Sequence, residues 1–192
     1  MLKAHPCRLV VLSAPSGTGK DTIAGRLLKM DDRLTLSCSA TTRRRKPGET
    51  DGVDYYFLSR EDFENRVRSG GFVEYTDYGG NLYGTLKSDI SERIEKGKIV
   101  LLVIDVHGGE SIRKMYPGAL SVFLVPPSVA ELERRLRCRC RDTDEEIAKR
   151  LLIAEDEMEC AADYDYTVVN DDLDKAVDEV YNLILQNCVN SE

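Results

Sequence analysis

The chain has 192 residues, with 27 basic and 34 acidic side chains and a formal charge of −7. That length suits one α/β domain with smaller insertions, and 42% hydrophobic with 32% charged residues excludes wholesale disorder. The acidic balance argues against a nucleic-acid partner, no apolar run reaches the ~20 residues of a membrane helix, and six irregularly spaced cysteines exclude a disulfide scaffold.

Lys3, His5 and Arg8 precede only a short apolar run at 9–12. The start is therefore read as a buried strand rather than a signal peptide, and the protein as cytoplasmic with reduced thiols. Residues 7–13 (CRLVVLS) are apolar without alternation, as in a strand covered on both faces. A loop at 14–19 follows, then a helix at 20–30 with Ile23, Leu27 and Leu28 on one face. Residues 34–39 predict a second strand. From 40 to about 89, turn residues, tyrosines and charges mix with short alternating segments at 55–58 and 72–75. This predicts a small, mostly β insertion with one helix near 60–69. Apolar strands return at 99–104 and 120–125, the latter ended by Pro126 and Pro127. Ser128 with Glu131, and Thr143 with Glu146, are capping-box signatures for two helices, the second running to about 160. A basic stretch lies between them at 134–141. A strand at 166–169 and a helix at 173–185 close the chain. Strands alternating with helices imply a doubly wound parallel sheet.

The strongest motif is Ala14-Pro15-Ser16-Gly17-Thr18-Gly19-Lys20, set between a predicted strand and a predicted helix. This is the context of a P-loop. Its glycines let the backbone aim successive N–H groups inward, the helix N-terminus adds its dipole, and Lys20 places a point charge on β/γ-phosphates. The next residue is normally a Ser or Thr that ligates Mg²⁺; here it is Asp21. Either Asp21 holds the magnesium itself, or its charge beside the phosphates weakens catalysis. Thr22 points about 100° around the helix from it.

Ordered blocks over nearly the whole length resemble guanylate kinases: SAPSGTGK at 13–20, SATTRRRKPGE at 39–49, DGVDYYF at 51–57, FVEY at 72–75, GNLYGT at 80–85, PPS at 126–128, RLRCRCRDTDEEIAKRL at 135–151 and VNDDLDKA at 169–176. The resemblance implies a P-loop NTPase-type core (1–39 and 90–192), an inserted GMP-binding subdomain (40–89) and a helical lid (about 137–150). It implies Mg²⁺-dependent transfer of the ATP γ-phosphoryl group to GMP, by a monomer or homodimer. Residues 14–22 would bind ATP: Ala14, Pro15, Ser16, Gly17, Thr18, Gly19, Lys20, Asp21 and Thr22. Arg43, Tyr55, Tyr83 and Lys46 match the clamp on the GMP phosphate, with Lys46 standing where the family has a second arginine. Lysine keeps that charge but loses the bidentate fork. The other reading of 43–46 is a solvated charge run, favoured for Arg44 and Arg45. Ser39, Glu74, Thr85 and Asp105 match the guanine contacts. A carboxylate at Glu74 can accept from guanine N1–H and the 2-amino group together, a donor pair that adenine lacks on that edge.

Arg135, Arg139 and Arg150 match the arginines that the family brings over the ATP phosphates as the lid closes. With Lys20 they are the expected catalytic groups. Val103 stands where the family usually has an acid two residues before Asp105. Alternation would put 103 and 105 on one side of a strand. A carboxylate is thus lost at Val103 and gained at Asp21, and compensation between them is the expectation. Cys138 and Cys140 replace lid glycines and form the one cysteine pair that the sequence singles out. The Asn170-Asp171-Asp172 cluster matches a turn near the adenine, although helix capping also accounts for it. Two other functions fit parts of the pattern: a guanylate-kinase-like binding module without activity, and a kinase of a phosphorylated sugar.

Overall fold

The computed structural model describes residues 7–138 and 143–189. The core is a five-stranded parallel sheet in the order β2-β7-β1-β8-β9, formed by Leu34–Leu36, Ile99–Val103, Leu9–Ser13, Leu120–Val125 and Tyr166–Val169. All of its pairings are parallel. The unbroken apolar run of β1 follows from its central place. Val10 and Leu12 face one cluster, with Ile23 and Leu27 of α1 (Lys20–Met30) and Val177, Val180 and Ile184 of α7 (Leu173–Ile184). Leu9 and Val11 face the opposite cluster, with Ile90 of α3 (Lys87–Glu95), Ile112 of α4 (Val106–Met115), Phe123 and Tyr164. Two-residue periodicity with both faces covered leaves no polar position in the strand interior.

A second, four-stranded sheet has the order β4-β3-β6-β5, formed by Tyr56–Phe57, Ser39–Thr41, Asn81–Leu86 and Phe72–Tyr78. Gly79 and Gly80 join β5 to β6 with φ of 60° and 78°. Both central residues of this tight hairpin must take positive φ, which glycine does without strain. The sheet has its own core, in which Phe63 of α2 (Arg60–Arg68) stacks on Phe72 at 4.2 Å.

The predicted strand at 34–39 divides between the two sheets, and the break has an identifiable cause. At the connection, the Cys38 N–H leaves the ladder and donates to Asp89 Oδ2 at 2.9 Å. Asp89 Oδ1 accepts from the Tyr56 hydroxyl at 2.9 Å. Arg93 Nε donates to both carboxylate oxygens at 2.9 Å, and its Nη1 reaches Thr35 Oγ1 at 2.9 Å. Asp89 is 3% exposed. One buried ion pair on α3 therefore ties the edge strand of the large sheet to the first strands of the small one.

Helices α3 and α4 had no clear signal in the sequence. In α4, Gly108 and Gly109 are poor helix formers, but the helix is fixed by packing. A Cβ at Gly109 would lie 2.2 Å from the Tyr164 hydroxyl and 2.8 Å from Ser13 Oγ. The pair Thr143 and Glu146 forms the full capping box at the start of α6 (Asp144–Glu159). The pair Ser128 and Glu131 forms half of one before α5 (Val129–Cys138). Ser128 Oγ accepts from the Glu131 N–H at 3.1 Å, while the Glu131 carboxylate pairs with Arg134 and Arg135 instead. Helix α7 ends at Ile184 and runs into one wider turn, Leu185–Val189. Among the described residues no helix is long and apolar enough to cross a membrane.

Replacing Asp89 with alanine leaves the Arg93 guanidinium and the Cys38 N–H without their partner in a buried site. We expect a loss of about 3–5 kcal/mol in urea unfolding, and an Asp89→Ala/Arg93→Ala double variant that loses less than the sum of the single changes. A loss under about 1 kcal/mol, or strict additivity, would show that the junction is not coupled.

Candidate active site

The loop at 14–19 leaves the C-terminal end of β1 and enters α1. Gly17 and Gly19 have φ of 96° and 101°, a region that other residues enter at a cost. The loop is braced from behind. A Cβ at Gly17 would lie 2.9 Å from Leu136 Cδ2 of α5, and one at Gly19 would lie 2.8 Å from Asn170 Nδ2. Asn170, 5% exposed, donates from Nδ2 to Thr18 O at 2.6 Å. Thr18 Oγ1 is itself buried without a hydrogen-bond partner among the described residues.

In front of the loop is a cavity of about 280 Å³, lined by Ala14–Gly17, Gly19, Lys20, Asp21, Thr22, Asp105 and Glu157. Lys20 Nζ donates to Ile104 O at 2.9 Å. Burial pulls the Lys20 ammonium below the usual lysine range, and Asp21, Asp105 and Glu157 act to restore it. Glu157 is held above the usual carboxylate range by burial and by Asp105. Its Oε2 is buried with no partner among the described residues. The sequence reading missed Glu157. The available signal was an acid three residues after Ala154, on the stripe of α6 that buries Ile147 and Ala154.

The expected guanine contacts come together through strand register. Ser39 of β3 pairs with Thr85 of β6, and Thr85 pairs with Glu74 of β5. A bulge between Phe72 and Glu74 inserts Val73, which packs into the main core, and turns Glu74 toward Thr85. Thr85 Oγ1 donates to Glu74 Oε1 at 2.6 Å. Glu74 faces a cavity of about 370 Å³, whose other wall is Asp105, His107, Gly108 and Ser111. Of these, Asp105 was expected, whereas His107, Gly108 and Ser111 of α4 carry no motif and were not anticipated. Strand β7 ends at Val103, so helix capping rather than strand alternation places Asp105: its Oδ1 accepts the Gly108 N–H at 2.8 Å. Asp105 lines both this cavity and the phosphate-loop cavity. Val103 packs against the hydrophobic core.

Arg43, Tyr55 and Tyr83 also converge. The Arg43 guanidinium lies 5.4 Å from the Tyr55 ring centre, and Tyr55 meets Tyr83 edge-on at 6.1 Å. Glu49 holds Arg43 by a fork, with Nη2 to Oε1 at 2.7 Å and Nη1 to Oε2 at 3.2 Å. Arg44, Arg45 and Lys46 are exposed. The other arginines are dispersed. Arg135 Nη2 donates to Asn170 O at 2.9 Å, and Arg135 lines a further cavity of about 300 Å³ with Gly17, Thr22, Asn170, Asp171 and Leu173. Arg150 is on α6 beside Glu146, whose carboxyl is held low chiefly by the Thr143 N–H and hydroxyl, with a smaller part from Arg150 and Lys149. Arg139, Cys140 and Arg141 lie outside the described residues. In the 170–172 cluster the roles divide: Asp172 caps α7 by accepting from the Lys175 N–H, and Asn170 braces the phosphate loop.

Known proteins resemble this chain over nearly its whole length. The guanylate kinase family model matches residues 6–187. A guanylate kinase of Synechocystis sp. is 46% identical over 92% of this chain and 93% of its own length. One of Synechococcus elongatus is 46% identical over 88% and 93%. The crystal structure of guanylate kinase from Anaplasma phagocytophilum superposes with a TM-score of 0.71 at 33% identity, covering 100% of this chain and 90% of that one.

Burial raises the Glu74 carboxyl above its ordinary 4.5, and the Thr85 hydroxyl partly offsets this. An acid with a raised folded pKa supports folding fully below its unfolded pKa and loses that support as pH rises through the folded value. Glu74→Gln keeps an acceptor for Thr85 and removes the buried charge. The variant is expected to be more stable than the wild type near pH 7, with the gap closing near pH 4, in paired urea titrations. A gap that widens on acidification would contradict this.

Proposed function

The chain belongs to the guanylate kinase family, and from that premise we propose how its residues share the work of moving a phosphoryl group from ATP to GMP. It is an ATP:GMP phosphotransferase. No covalent intermediate is needed: an oxygen of the GMP phosphate attacks the γ-phosphorus in line and ADP leaves, so the protein's task is alignment and charge stabilisation.

The N–H groups of residues 16–20 take the ATP phosphates, and Lys20 exchanges its bond to Ile104 O for a phosphate oxygen. Arg135 and Asn170 border the side of the loop where the nucleoside of ATP extends. Glu74 accepts the paired guanine donors, Thr85 fixes its orientation, and Ser39 and Asp105 complete the contacts to the base. Arg43 leaves Glu49 for the GMP phosphate, joined by Tyr55, Tyr83 and Lys46. Tyrosine hydroxyls add donors there without adding charge. The inserted unit (40–89) and the lid (about 137–150) close over the two nucleotides, and Arg139 and Arg150 bring positive charge to the transferring group. With those substrates goes a cytoplasmic location.

Magnesium fits the same site as a ligand shared with ATP. Among the described residues no group of three or more His, Cys, Asp or Glu forms a protein-only metal cage. Asp21 lines the phosphate-loop cavity, and one carboxylate plus phosphate oxygens is an ordinary magnesium environment. Bound there, the ion would neutralise charge developing on the β- and γ-phosphate oxygens.

The observation that carries this reading is that Asp105 borders both the phosphate-loop cavity and the Glu74 cavity. A donor held in one and an acceptor in the other would meet across it. The test is ADP release, with Mg²⁺ and ATP, from GMP, dGMP, AMP, CMP, UMP and ribose phosphates. Turnover is expected with guanine monophosphates, with AMP at least about 100-fold lower in kcat/KM because the site's polar groups would go unpaired. Glu74→Gln should lower kcat/KM for GMP by roughly 10–100-fold. No turnover on any acceptor would support a binding module instead, and turnover on ribose phosphates a sugar-phosphate kinase.

A further inference from the structure

Cys7 stands just before β1, and Cys188 lies in the turn that follows α7. They are 181 positions apart in the chain, yet their sulfurs are 3.0 Å apart. The surroundings of the two thiols differ. Cys188 is 6% exposed and packs into the hydrophobic cluster between β1 and α7. Cys7 is partly exposed and lines an open cavity of about 220 Å³ with Pro117, Gly118, Asp165, Tyr166 and Asn187. The Leu120 N–H donates to the Cys7 sulfur at 3.2 Å, and the Cys188 thiol donates to it from behind. Cys7 thus lines a cavity that a small molecule could enter, and the Cys188 thiol is held in contact with it and buried.

We propose that Cys7 and Cys188 form a thiol–disulfide exchange site that reversibly cross-links the two ends of the fold when it meets a low-molecular-weight disulfide. In the first step the Cys7 thiolate attacks one sulfur of the small disulfide. A mixed disulfide forms at Cys7 and one small thiolate leaves, taking up the proton that Cys7 gave up. In the second step the Cys188 sulfur attacks the Cys7 sulfur and loses its proton. The protein disulfide closes and the second small thiolate leaves with that proton. Two protein thiols are oxidised and one small disulfide is reduced to two thiols, so atoms and electrons balance. Closing the bond would bring the sulfurs from 3.0 Å to roughly 2.05 Å.

Electrostatics favours the same order of attack. The hydrogen bond from Cys188 holds the Cys7 thiol down to about 7, against burial and the charge of Asp165. The same contact, together with burial, pushes Cys188 up. Cys7 is therefore the more acidic of the two thiols, and the thiolate is the attacking form. The phosphate loop leaves the opposite end of β1, so the exchange site is separate from the nucleotide cavities. Its consequence is stability: the cross-link would close a loop spanning almost the whole chain.

The experiment treats the full-length reduced protein with oxidised glutathione, then reads the intact mass and maps peptides without reduction. The expected result is a Cys7–Cys188 peptide with no retained glutathione, and a Tm raised by roughly 5–15 °C and restored by dithiothreitol. Cys188→Ser should stop at a glutathione adduct on Cys7, and Cys7→Ser should form neither product. A Cys138→Ser/Cys140→Ser variant should still form the cross-link. The proposal is overturned if wild-type Cys7 keeps its glutathione, if Cys7 does not react, or if the only cross-link joins Cys138 to Cys140.

Discussion

The two halves of the site are built on different sheets, and one buried carboxylate joins those sheets. The phosphate loop sits at the end of a strand in the large parallel sheet. Glu74 and Thr85 sit in the small sheet. Asp89 accepts from the connecting backbone at Cys38, from Tyr56 of the small sheet, and from Arg93, which also reaches Thr35 of the large sheet. A buried carboxylate without donors would be costly, and a network that satisfies it is directional. The same bonds that compensate the burial of Asp89 therefore set where the Ser39–Thr85–Glu74 row, the proposed guanine site, lies relative to the phosphate loop. A shift of one ångström between the two would misalign an in-line attack.

Two cations of the site rest on protein acceptors. Lys20 is on a backbone carbonyl and Arg43 is on Glu49. Each sits close to where phosphate is proposed to bind, and each can exchange its acceptor for a phosphate oxygen without losing its charge. Asp21, Asp105 and Glu157 counter the pull of burial on the Lys20 ammonium in a partly desolvated cavity. Asp21 is thus part of the field around the loop, whatever its share in holding magnesium. The chain's net charge of −7 is compatible with polyanionic substrates because local geometry, not the total, decides what a phosphate meets.

Much of this was legible in the sequence. The run at 7–13 and the glycine pattern at 14–19 announced the strand, loop and helix, with the strand itself starting two residues later at Leu9, because buried strands and positive-φ glycines have few alternatives. The grouping of Ser39, Thr85 and Glu74 was expected from family resemblance, but its physical basis was not. Ser39, Thr85 and Glu74 are far apart in the chain, and only strand register with a bulge at Val73 aligns them. The split of 34–39 was invisible because Asp89, which causes it, lies some 50 residues away. Helix α4 was hidden by Gly108 and Gly109, whose value is close packing rather than helix propensity. The cysteines are the sharpest contrast. The sequence singled out 138 and 140 as neighbours in the chain, whereas the structure brings together 7 and 188.

The central claim is that the small sheet supplies the guanine-selective acceptor and the large sheet supplies the phosphate cradle, meeting across Asp105. A crystal structure of the full chain with GMP and ADP tests it most directly. The account predicts Glu74 accepting from guanine N1–H and the 2-amino group, and Lys20 Nζ moved from Ile104 O to an ADP phosphate oxygen. Guanine seated away from Glu74, or Lys20 still on Ile104 with both nucleotides bound, would contradict it.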